Sequence, residues 1–108
     1  MAVVIHSDME KTGYFECSNS LINKLQNNII WGQKGNFLDV PTDCPQRDER
    51  MGWTGDAQAF ASTAMFNFNS AAFYTKWLKD VEIDQNENGS VPFVVPDVLN
   101  DSRIDRVG

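Results

Sequence analysis

Side chains that can bind polar ligands or move protons are concentrated between Asp39 and Asp56. This segment contains five carboxylates, two arginines and one tryptophan, which are Asp39, Asp43, Asp48, Glu49, Asp56, Arg47, Arg50 and Trp53. Ionised side chains resist burial unless they are paired or hydrogen-bonded, so packing alone does not explain this composition. Two prolines and two glycines also exclude one regular helix over the segment. A polar ligand or a network of ion pairs is needed to account for these residues.

One chemistry that paired carboxyl groups can perform is cleavage of an acetal such as a glycosidic bond. That reaction needs two carboxyl groups in different environments, one to protonate the leaving oxygen and one to activate water or attack the sugar. Glu49 is the best candidate for the proton donor, because Trp53 four residues later would form an apolar wall if one helical turn joined them. Asp48 adds like-charge repulsion. A proton donor needs a raised pKa, whereas Arg47 and Arg50 would lower the pKa of Glu49 if they pointed at it. A structural Glu–Arg ion pair is therefore the alternative.

Asp43 and Asp56 each have a structural and a functional interpretation. Asp43 stands three residues before Gln46, as in a capping box. Asp56 falls in the first turn of a helix begun by Thr54, where the helix dipole favours negative charge. Alternatively, both carboxylates accept hydrogen bonds from sugar hydroxyls while Trp53 offers its face to a pyranose ring. The spacing alone does not decide between the two interpretations.

Composition and charge limit the partners of the chain. It has 108 residues, the length of one small domain, with a formal net charge of -6. An acidic surface does not favour nucleic acid or an anionic membrane, and no apolar run reaches the roughly 20 residues of a membrane span. The opening residues, MAVVIHSDMEK, lack the basic and apolar regions of a secretory signal, which leaves the localisation open.

The cysteines and the histidine do not predict a metal centre. Cys17 and Cys44 lie 27 positions apart without a CxxC motif, and His6 is far along the chain from the acidic segment. Two reduced thiols are the favoured interpretation, and a disulfide stays open as an alternative. The acidic cluster lacks the alternating spacing of a calcium loop, so no metal or other cofactor is expected.

Apolar periodicity predicts a first helix from about Ser20 to Lys34. Ser18 or Asn19 is expected to cap its start, and Gly35 is expected to end it. The residues that recur at helical spacing along it are Leu21, Ile22, Leu25, Ile29 and Ile30.

Two further helices are predicted after the acidic segment. Thr54 is expected to be the N-cap of one that ends near Phe66, and the last helix starts at Asn69 or Ser70 and ends near Asn86. The apolar residues on these helices are predicted to pack in the core, and they are Phe60, Met65, Phe68, Phe73, Trp77, Leu78 and Val81.

The remaining segments are predicted to be short or irregular. Ala2 to His6 is expected to form a short strand, and Pro45 to Arg50 one helical turn. Asn88-Gly89 is expected to form a turn, and Val91 to Val98, with two prolines, to be extended but irregular. Three helices and isolated extended pieces do not make a closed domain, so we expect the chain to be a fragment of a larger one.

One string of the sequence resembles a known family. Residues 41–58, PTDCPQRDERMGWTGDAQ, resemble the signature of bacterial α-L-rhamnosidases of glycoside hydrolase family 78. Three other stretches also resemble that family: HSDMEKTGYFECS, the helix running into WGQKGNF, and FYTKWLKD through GSVPFVVPDVL. The resemblance therefore covers nearly the whole chain.

The resemblance implies a mainly α fold, a partial (α/α)6 barrel with a short N-terminal β remnant. Residues 1–17 would be the end of an upstream β segment and a linker, and residues 18–108 the N-terminal slice of the barrel. The family hydrolyses terminal α-L-rhamnosides with inversion, so rhamnose-containing glycosides are the implied partners of a bacterial protein, either cytoplasmic or exported.

The resemblance also implies roles for individual residues. Glu49 is the implied general acid. The implied substrate-binding residues are Asp43, Arg47, Asp48, Trp53 and Asp56. Family members have a second catalytic glutamate, the general base, far downstream, and this chain ends before it. The resemblance thus predicts a glycosidase by family whose chain alone has little or no activity.

Two alternatives to the enzymatic interpretation stay open. The chain could be a non-catalytic module in which Asp43, Asp56 and Trp53 hold rhamnose without chemistry. It could also be a structural fragment that self-associates through helix faces that a complete barrel would bury.

Overall fold

The computed structural model describes residues 1–99 of the chain. In this part, three helices and one small hairpin succeed one another: α1 (Ser20–Asn36), β1 (Phe37–Leu38), β2 (Val40–Pro41), α2 (Thr54–Asn67) and α3 (Ala71–Asp84). The three predicted helices are therefore confirmed. Residues 100–108, which end the predicted barrel slice, lie outside the described residues. Within residues 1–99, none of the helices is long and apolar enough to cross a bilayer.

Helix α1 begins where the sequence predicts and ends two residues later than predicted. The Asn19 side chain accepts hydrogen bonds from the backbone N–H groups of Leu21 and Ile22, which confirms it as the N-cap. The helix passes through Gly35, and the N–H of Phe37 still bonds to the carbonyl of Gln33. A predicted glycine stop is thus overridden by continuing helical hydrogen bonds.

The hairpin after α1 turns the chain toward the acidic segment. Strands β1 and β2 pair antiparallel, with Phe37 opposite Pro41 and Leu38 opposite Val40. Asp39 at the turn has a φ of 68°, in the left-handed region that Asp tolerates better than most residues. Its carboxylate lies 3.1 Å from Nζ of Lys76 on α3, so the turn is fixed against the third helix.

Three local predictions are wrong. Residues 2–6 form no strand, because no neighbouring strand pairs with them among the described residues. Residues 45–50 bend without a helical turn. Thr54 is the first residue of α2 and Trp53 is its N-cap, because the Thr54 hydroxyl donates to the carbonyls of Pro92 and Phe93. The helix boundary is set by a contact that is distant in sequence.

The later segments agree closely with the predictions. Ser70 flanks α3 as expected, and the helix ends at Asp84, two residues before the predicted end. A turn lies at Asn88-Gly89, where Gly89 has a φ of 87°. Residues 91–98 are irregular, as predicted. Cys17 and Cys44 are both free thiols, which confirms the favoured interpretation.

An aromatic cluster joins the hairpin to α2 and α3. The Phe37 ring stacks on Phe73 with centroids 4.7 Å apart. It also meets Phe60 and Tyr74 edge-on, at 6.1 and 5.9 Å. Trp77 extends the cluster and is only 5% exposed, which confirms its predicted core position. These contacts hold the hairpin, and hence the start of the acidic segment, on the helices.

A buried amide network joins α1 to α2. Nδ2 of Asn67 donates to Oε1 of Gln33 at 3.1 Å, and Nε2 of Gln33 donates to the Ala64 carbonyl. Nε2 of Gln26 donates to Oδ1 of Asn67. Gln33 and Asn67 are almost fully buried, so every polar atom of the pair needs a partner.

The described residues do not form a closed core. The Cα radius of gyration is 15.9 Å, against about 13 Å for a compact domain of 100 residues. Of the apolar face predicted on α1, only Ile30 is buried. Several large apolar side chains are exposed on the helices, namely Leu21, Leu25, Trp31, Met65, Leu78 and Ile83. Met65 and Leu78 are therefore not the packing residues that periodicity predicts among residues 1–99.

We expect Asn67→Ala to lower the free energy of unfolding by about 1–3 kcal/mol, because it leaves the buried Gln33 oxygen without a donor. Asn28→Ala on the exposed part of α1 is the matched control and should change stability little. Urea unfolding followed by circular dichroism measures both. Equal effects of the two substitutions would show that the amide network does not stabilise the fold.

Candidate active site

The acidic segment folds into a tight loop closed by its own backbone. The N–H of Asp43 bonds to the carbonyl of Met51 at 3.2 Å. Arg50 has a φ of 57° and donates to the carbonyl of Pro45 at 3.5 Å. Arg50 therefore shapes the loop and makes no ion pair with Glu49, contrary to the sequence-based expectation that both arginines oppose Glu49.

Residues 93–95 hold the end of this loop against the helices. The N–H of Val95 bonds to the carbonyl of Gly52 at 2.9 Å, and the N–H of Thr54 bonds to the carbonyl of Phe93 at 2.9 Å. Val95 also accepts a hydrogen bond from Nε1 of Trp77 on α3 at 3.1 Å. The backbone on both sides of Trp53 is thus fixed.

Arg47 lies between two carboxylates. Its Nη2 is 2.8 Å from Oε2 of Glu49 and 3.3 Å from Oδ2 of Asp43. The other oxygen of Glu49, Oε1, accepts a hydrogen bond from Nε1 of Trp53. The structure therefore brings together four of the predicted site residues, Asp43, Arg47, Glu49 and Trp53.

The contact between Trp53 and Glu49 differs from the predicted one. The two side chains meet without a helical turn between them, and the indole is a hydrogen-bond donor to Glu49 as well as an apolar neighbour. Asp48 is exposed and forms no hydrogen bond or ion pair within residues 1–99. The like charge close to Glu49 is instead Asp43, with one oxygen of each carboxylate within 4.8 Å of the other.

Asp43 is the most buried acid of the site, with a side chain only 8% exposed. Its predicted capping box is wrong, because residues 45–48 are not helical and its carboxylate contacts Cys44 and Arg47. Burial raises the pKa of Asp43, but the Cys44 thiol, the nearby backbone N–H of Asp43 itself and Arg47 together lower it by more, so the net pKa is below the ordinary 3.8. Asp43 is therefore ionised at neutral pH.

A cavity of about 410 Å³ opens beside this cluster. Its volume falls within the roughly 300–1,000 Å³ of small-molecule sites. Asp43 and Asp56 both line it, so the two predicted sugar-binding acids meet in one space. Glu49 and Trp53 are not in its wall, but Glu49 shares Arg47 with Asp43 and accepts a hydrogen bond from Trp53. Its other polar and apolar lining residues include Asn36, Thr42, Phe37 and Phe60.

Some residues of the site carry no clear signal in the sequence. Asn36 has only a turn or cap interpretation there, yet it lines the cavity and accepts a hydrogen bond from the Thr42 hydroxyl at 2.8 Å. The sequence pattern assigns no chemistry to Cys44, yet its thiol contacts Asp43. Only their places along the sequence could have indicated these residues. Asn36 and Thr42 flank the hairpin, and Cys44 directly follows Asp43.

Three possible metal-ligating side chains come together in the cluster. One oxygen of Asp43, Sγ of Cys44 and one oxygen of Glu49 lie within 4.8 Å of one another in the described part of the chain. Arg47 already places a positive charge between the two carboxylates. An ion pair therefore accounts for the closeness of these groups without a cation.

Three successive helices thus carry clustered acids beside a cavity. The family model for the bacterial alpha-L-rhamnosidase 6 hairpin glycosidase domain matches residues 10–106. The chain belongs to this family. The three helices of residues 1–99 fit a partial helical barrel, as the family resemblance implies.

Curated relatives agree with this assignment. An alpha-L-rhamnosidase of Formosa agariphila is 53% identical over 102 residues, which are 94% of this chain and 11% of that protein. An alpha-L-rhamnosidase of Streptomyces avermitilis is 50% identical over 97 residues, covering 90% of this chain and 9% of that protein. The chain thus spans about a tenth of the length of the relatives it matches.

Solved structures show the same backbone. The alpha-L-rhamnosidase of Aspergillus terreus matches with a TM-score of 0.83 and 59% identity, over 88% of this chain and 11% of that one. The Streptomyces avermitilis enzyme complexed with L-rhamnose matches with a TM-score of 0.83 and 50% identity, over 86% of this chain and 9% of that one.

We expect Gly52→Ala to destabilise the chain by about 1–3 kcal/mol, in the range of overpacked sites. A Cβ at this position would lie 2.3 Å from the Val95 carbonyl oxygen. Gly55→Ala is the matched control, because no atom lies within 4 Å of its Cβ position. Urea unfolding compares the two variants, and equal stabilities would contradict the close approach of Gly52 and Val95.

The lowered pKa of Asp43 also makes stability depend on pH. Its contribution is fully present above 3.8, the pKa expected in the unfolded chain, and is lost as the pH falls through the lower folded value. Asp43→Asn should therefore be less stable than the unmodified chain at pH 6, with a difference that shrinks in acid. Asp48→Asn removes the same charge from an exposed side chain. If Asp48→Asn lost as much stability at pH 6 as Asp43→Asn, the stabilising role of the ionised Asp43 carboxylate would be contradicted.

Proposed function

We propose that this chain carries the acid half of an α-L-rhamnosidase active site. In this proposal, the whole protein hydrolyses terminal α-L-rhamnosides with inversion, and Glu49 protonates the leaving oxygen. Asp43 and Asp56 accept hydrogen bonds from rhamnose hydroxyls. One observation carries the proposal: Asp43 belongs both to the cavity wall and to the cluster that contains Glu49.

The acid role of Glu49 is supported by its neighbours. Two carboxylates with oxygens within 4.8 Å repel each other when both are ionised, and a proton on one of them relieves the repulsion. Asp43 is the carboxyl with the lowered pKa, so it is the ionised member that can accept sugar hydroxyls. Glu49 is also partly buried against the Trp53 indole, which limits its solvation.

Arg47 forms an ion pair with Glu49. The contact to Oε2 is made by one nitrogen, Nη2, which also contacts Asp43. Most of the Arg47 side chain is exposed. Catalysis in this proposal requires the guanidinium to turn toward Asp43 or the sugar when substrate enters, which frees Glu49 to hold its proton.

The pocket assignment is supported by the charge and size of the cavity. Asp56 lies in the first turn of α2 and lines the cavity together with Asp43, and ionised carboxylates are strong acceptors for hydroxyls. Trp53 and Arg47 adjoin this space through Glu49 and Asp43. The exposed Asp48 is proposed as a further contact to substrate at the rim. The relative from Streptomyces avermitilis was solved with L-rhamnose, which makes this sugar the first ligand to test.

The general base of the proposed mechanism lies outside this chain. An inverting glycosidase needs its second carboxylate roughly 6.5–9.5 Å from the acid, with water between them. Asp43 is within 4.8 Å of Glu49 and is already bonded to Cys44 and Arg47. It is therefore too close to act as that base.

We expect the chain alone to release little or no product from a chromogenic aryl α-L-rhamnoside, because a missing base removes orders of magnitude in rate. The Glu49→Gln variant is the control for background hydrolysis. Robust turnover by the unmodified chain that disappears in Glu49→Gln would contradict the assignment of the base to another part of the protein.

We expect L-rhamnose to bind the chain weakly and Asp56→Asn to weaken binding further, because it removes an ionised acceptor from the cavity. Titration followed by isothermal calorimetry measures this. The control is Asp80→Asn, on α3 and outside the cavity wall. Binding that Asp56→Asn leaves unchanged would contradict the pocket assignment.

A second candidate role is self-association. It is favoured by the open shape of the described residues and by the exposed apolar side chains on all three helices. Sedimentation equilibrium distinguishes the cases: a monomer at all concentrations excludes this role, whereas a dimer that forms without rhamnose supports it.

A further inference from the structure

We propose that Cys44 is a positioning residue for Asp43. The buried Cys44 thiol holds one oxygen of the Asp43 carboxylate and leaves the other oxygen as an acceptor for a sugar hydroxyl. The inference rests on the proposed function, since it gives the purpose of Asp43 as sugar binding. It assigns a role to a cysteine that composition and spacing leave unexplained.

The contact geometry supports this role. Sγ of Cys44 lies 3.1 Å from Oδ2 of Asp43, and Nη2 of Arg47 lies 3.3 Å from the same oxygen. A thiol is a donor of one hydrogen bond, so this bond uses its whole donor capacity. Two donors therefore converge on Oδ2 and fix the plane of the carboxylate.

The second oxygen of Asp43 is left with unused capacity. Oδ1 is buried and accepts no hydrogen bond from residues 1–99. A buried acceptor without a donor is unfavourable, and a carboxylate oxygen has room for about two. Asp43 lines the cavity that Asp56 also lines. A ligand hydroxyl in this cavity that reaches Oδ1 would supply the missing donor.

The thiol stays protonated in this arrangement. The hydrogen bond to the Asp43 carboxylate, together with burial, raises the pKa of Cys44 above its ordinary 9.0. Cys44 is therefore a hydrogen-bond donor at neutral pH and a poor nucleophile. Cys44 acts on the site through the hydrogen bond that its thiol donates to Asp43. A side chain of similar size without a donor should therefore not replace it.

The test compares three substitutions at Cys44 by carboxyl-detected NMR titration of Asp43 in the full chain. Cys44→Val keeps most of the volume and removes the donor, and Cys44→Ser keeps a donor. Cys44→Ala is the second donor-free variant in case valine perturbs packing. Cys17→Ala is the matched control at the other thiol. The other charged groups that contact or share the cavity with Asp43, namely Arg47, Glu49 and Asp56, stay unchanged.

We expect the pKa of Asp43 to rise in Cys44→Val and Cys44→Ala, and to stay low in Cys44→Ser and Cys17→Ala. A folded Cys44→Val or Cys44→Ala chain with an unaltered Asp43 titration would overturn the proposal. So would a Cys44→Ser variant that titrates like the donor-free ones, because a packing role predicts no rescue by serine.

Binding of L-rhamnose separates this inference from the proposed function. Loss of the thiol donor should weaken binding by about tenfold, the change that one hydrogen bond to a charged group corresponds to. If rhamnose binds equally well to Cys44→Val, the positioning role is wrong while the pocket assignment stands. If the titration responds as expected and rhamnose does not bind even the unmodified chain, the proposed function is wrong.

Discussion

The site depends on the backbone pairing between residues 52–54 and residues 93–95. Without it, the acidic loop would be attached to the helices only by its ends, since its own hydrogen bonds are local. The pairing fixes Gly52 and Thr54 on either side of Trp53, and the Trp77 indole ties Val95 to α3. A glycine is required at position 52 because the Val95 carbonyl occupies the space of a side chain.

Within this loop, the single guanidinium of Arg47 forms ion pairs with two carboxylates. Arg47 contacts both Asp43 and Glu49, and the more buried acid has the larger set of donors. The two carboxylates consequently differ in environment although they are close together, which is the condition that acid catalysis by one of them requires. A symmetric pair of exposed acids would not distinguish a proton donor from a hydroxyl acceptor.

The sequence predicts the helices well because their signals are local, as the Asn19 cap and the Trp77 core position illustrate. It predicts that Asp43, Arg47, Glu49 and Trp53 belong to one polar cluster, because packing does not explain their polarity. It does not predict the loop, since Thr54 and Gly52 are set by partners some forty positions away. Periodicity also does not show what covers a helix face, which is why it predicts a packing role for the exposed Met65. The role of Cys44 is invisible in spacing and needs the carboxylate beside it.

The site contacts differ in sequence separation, and this affects the order in which they form. Arg47 lies four residues from Asp43 and two from Glu49, and Glu49 lies four from Trp53. The pairing of Gly52 and Thr54 with residues 93–95 joins segments about forty residues apart. Because contacts close in sequence form faster, the ion-pair cluster is expected to form before the pairing that fixes it on the helices.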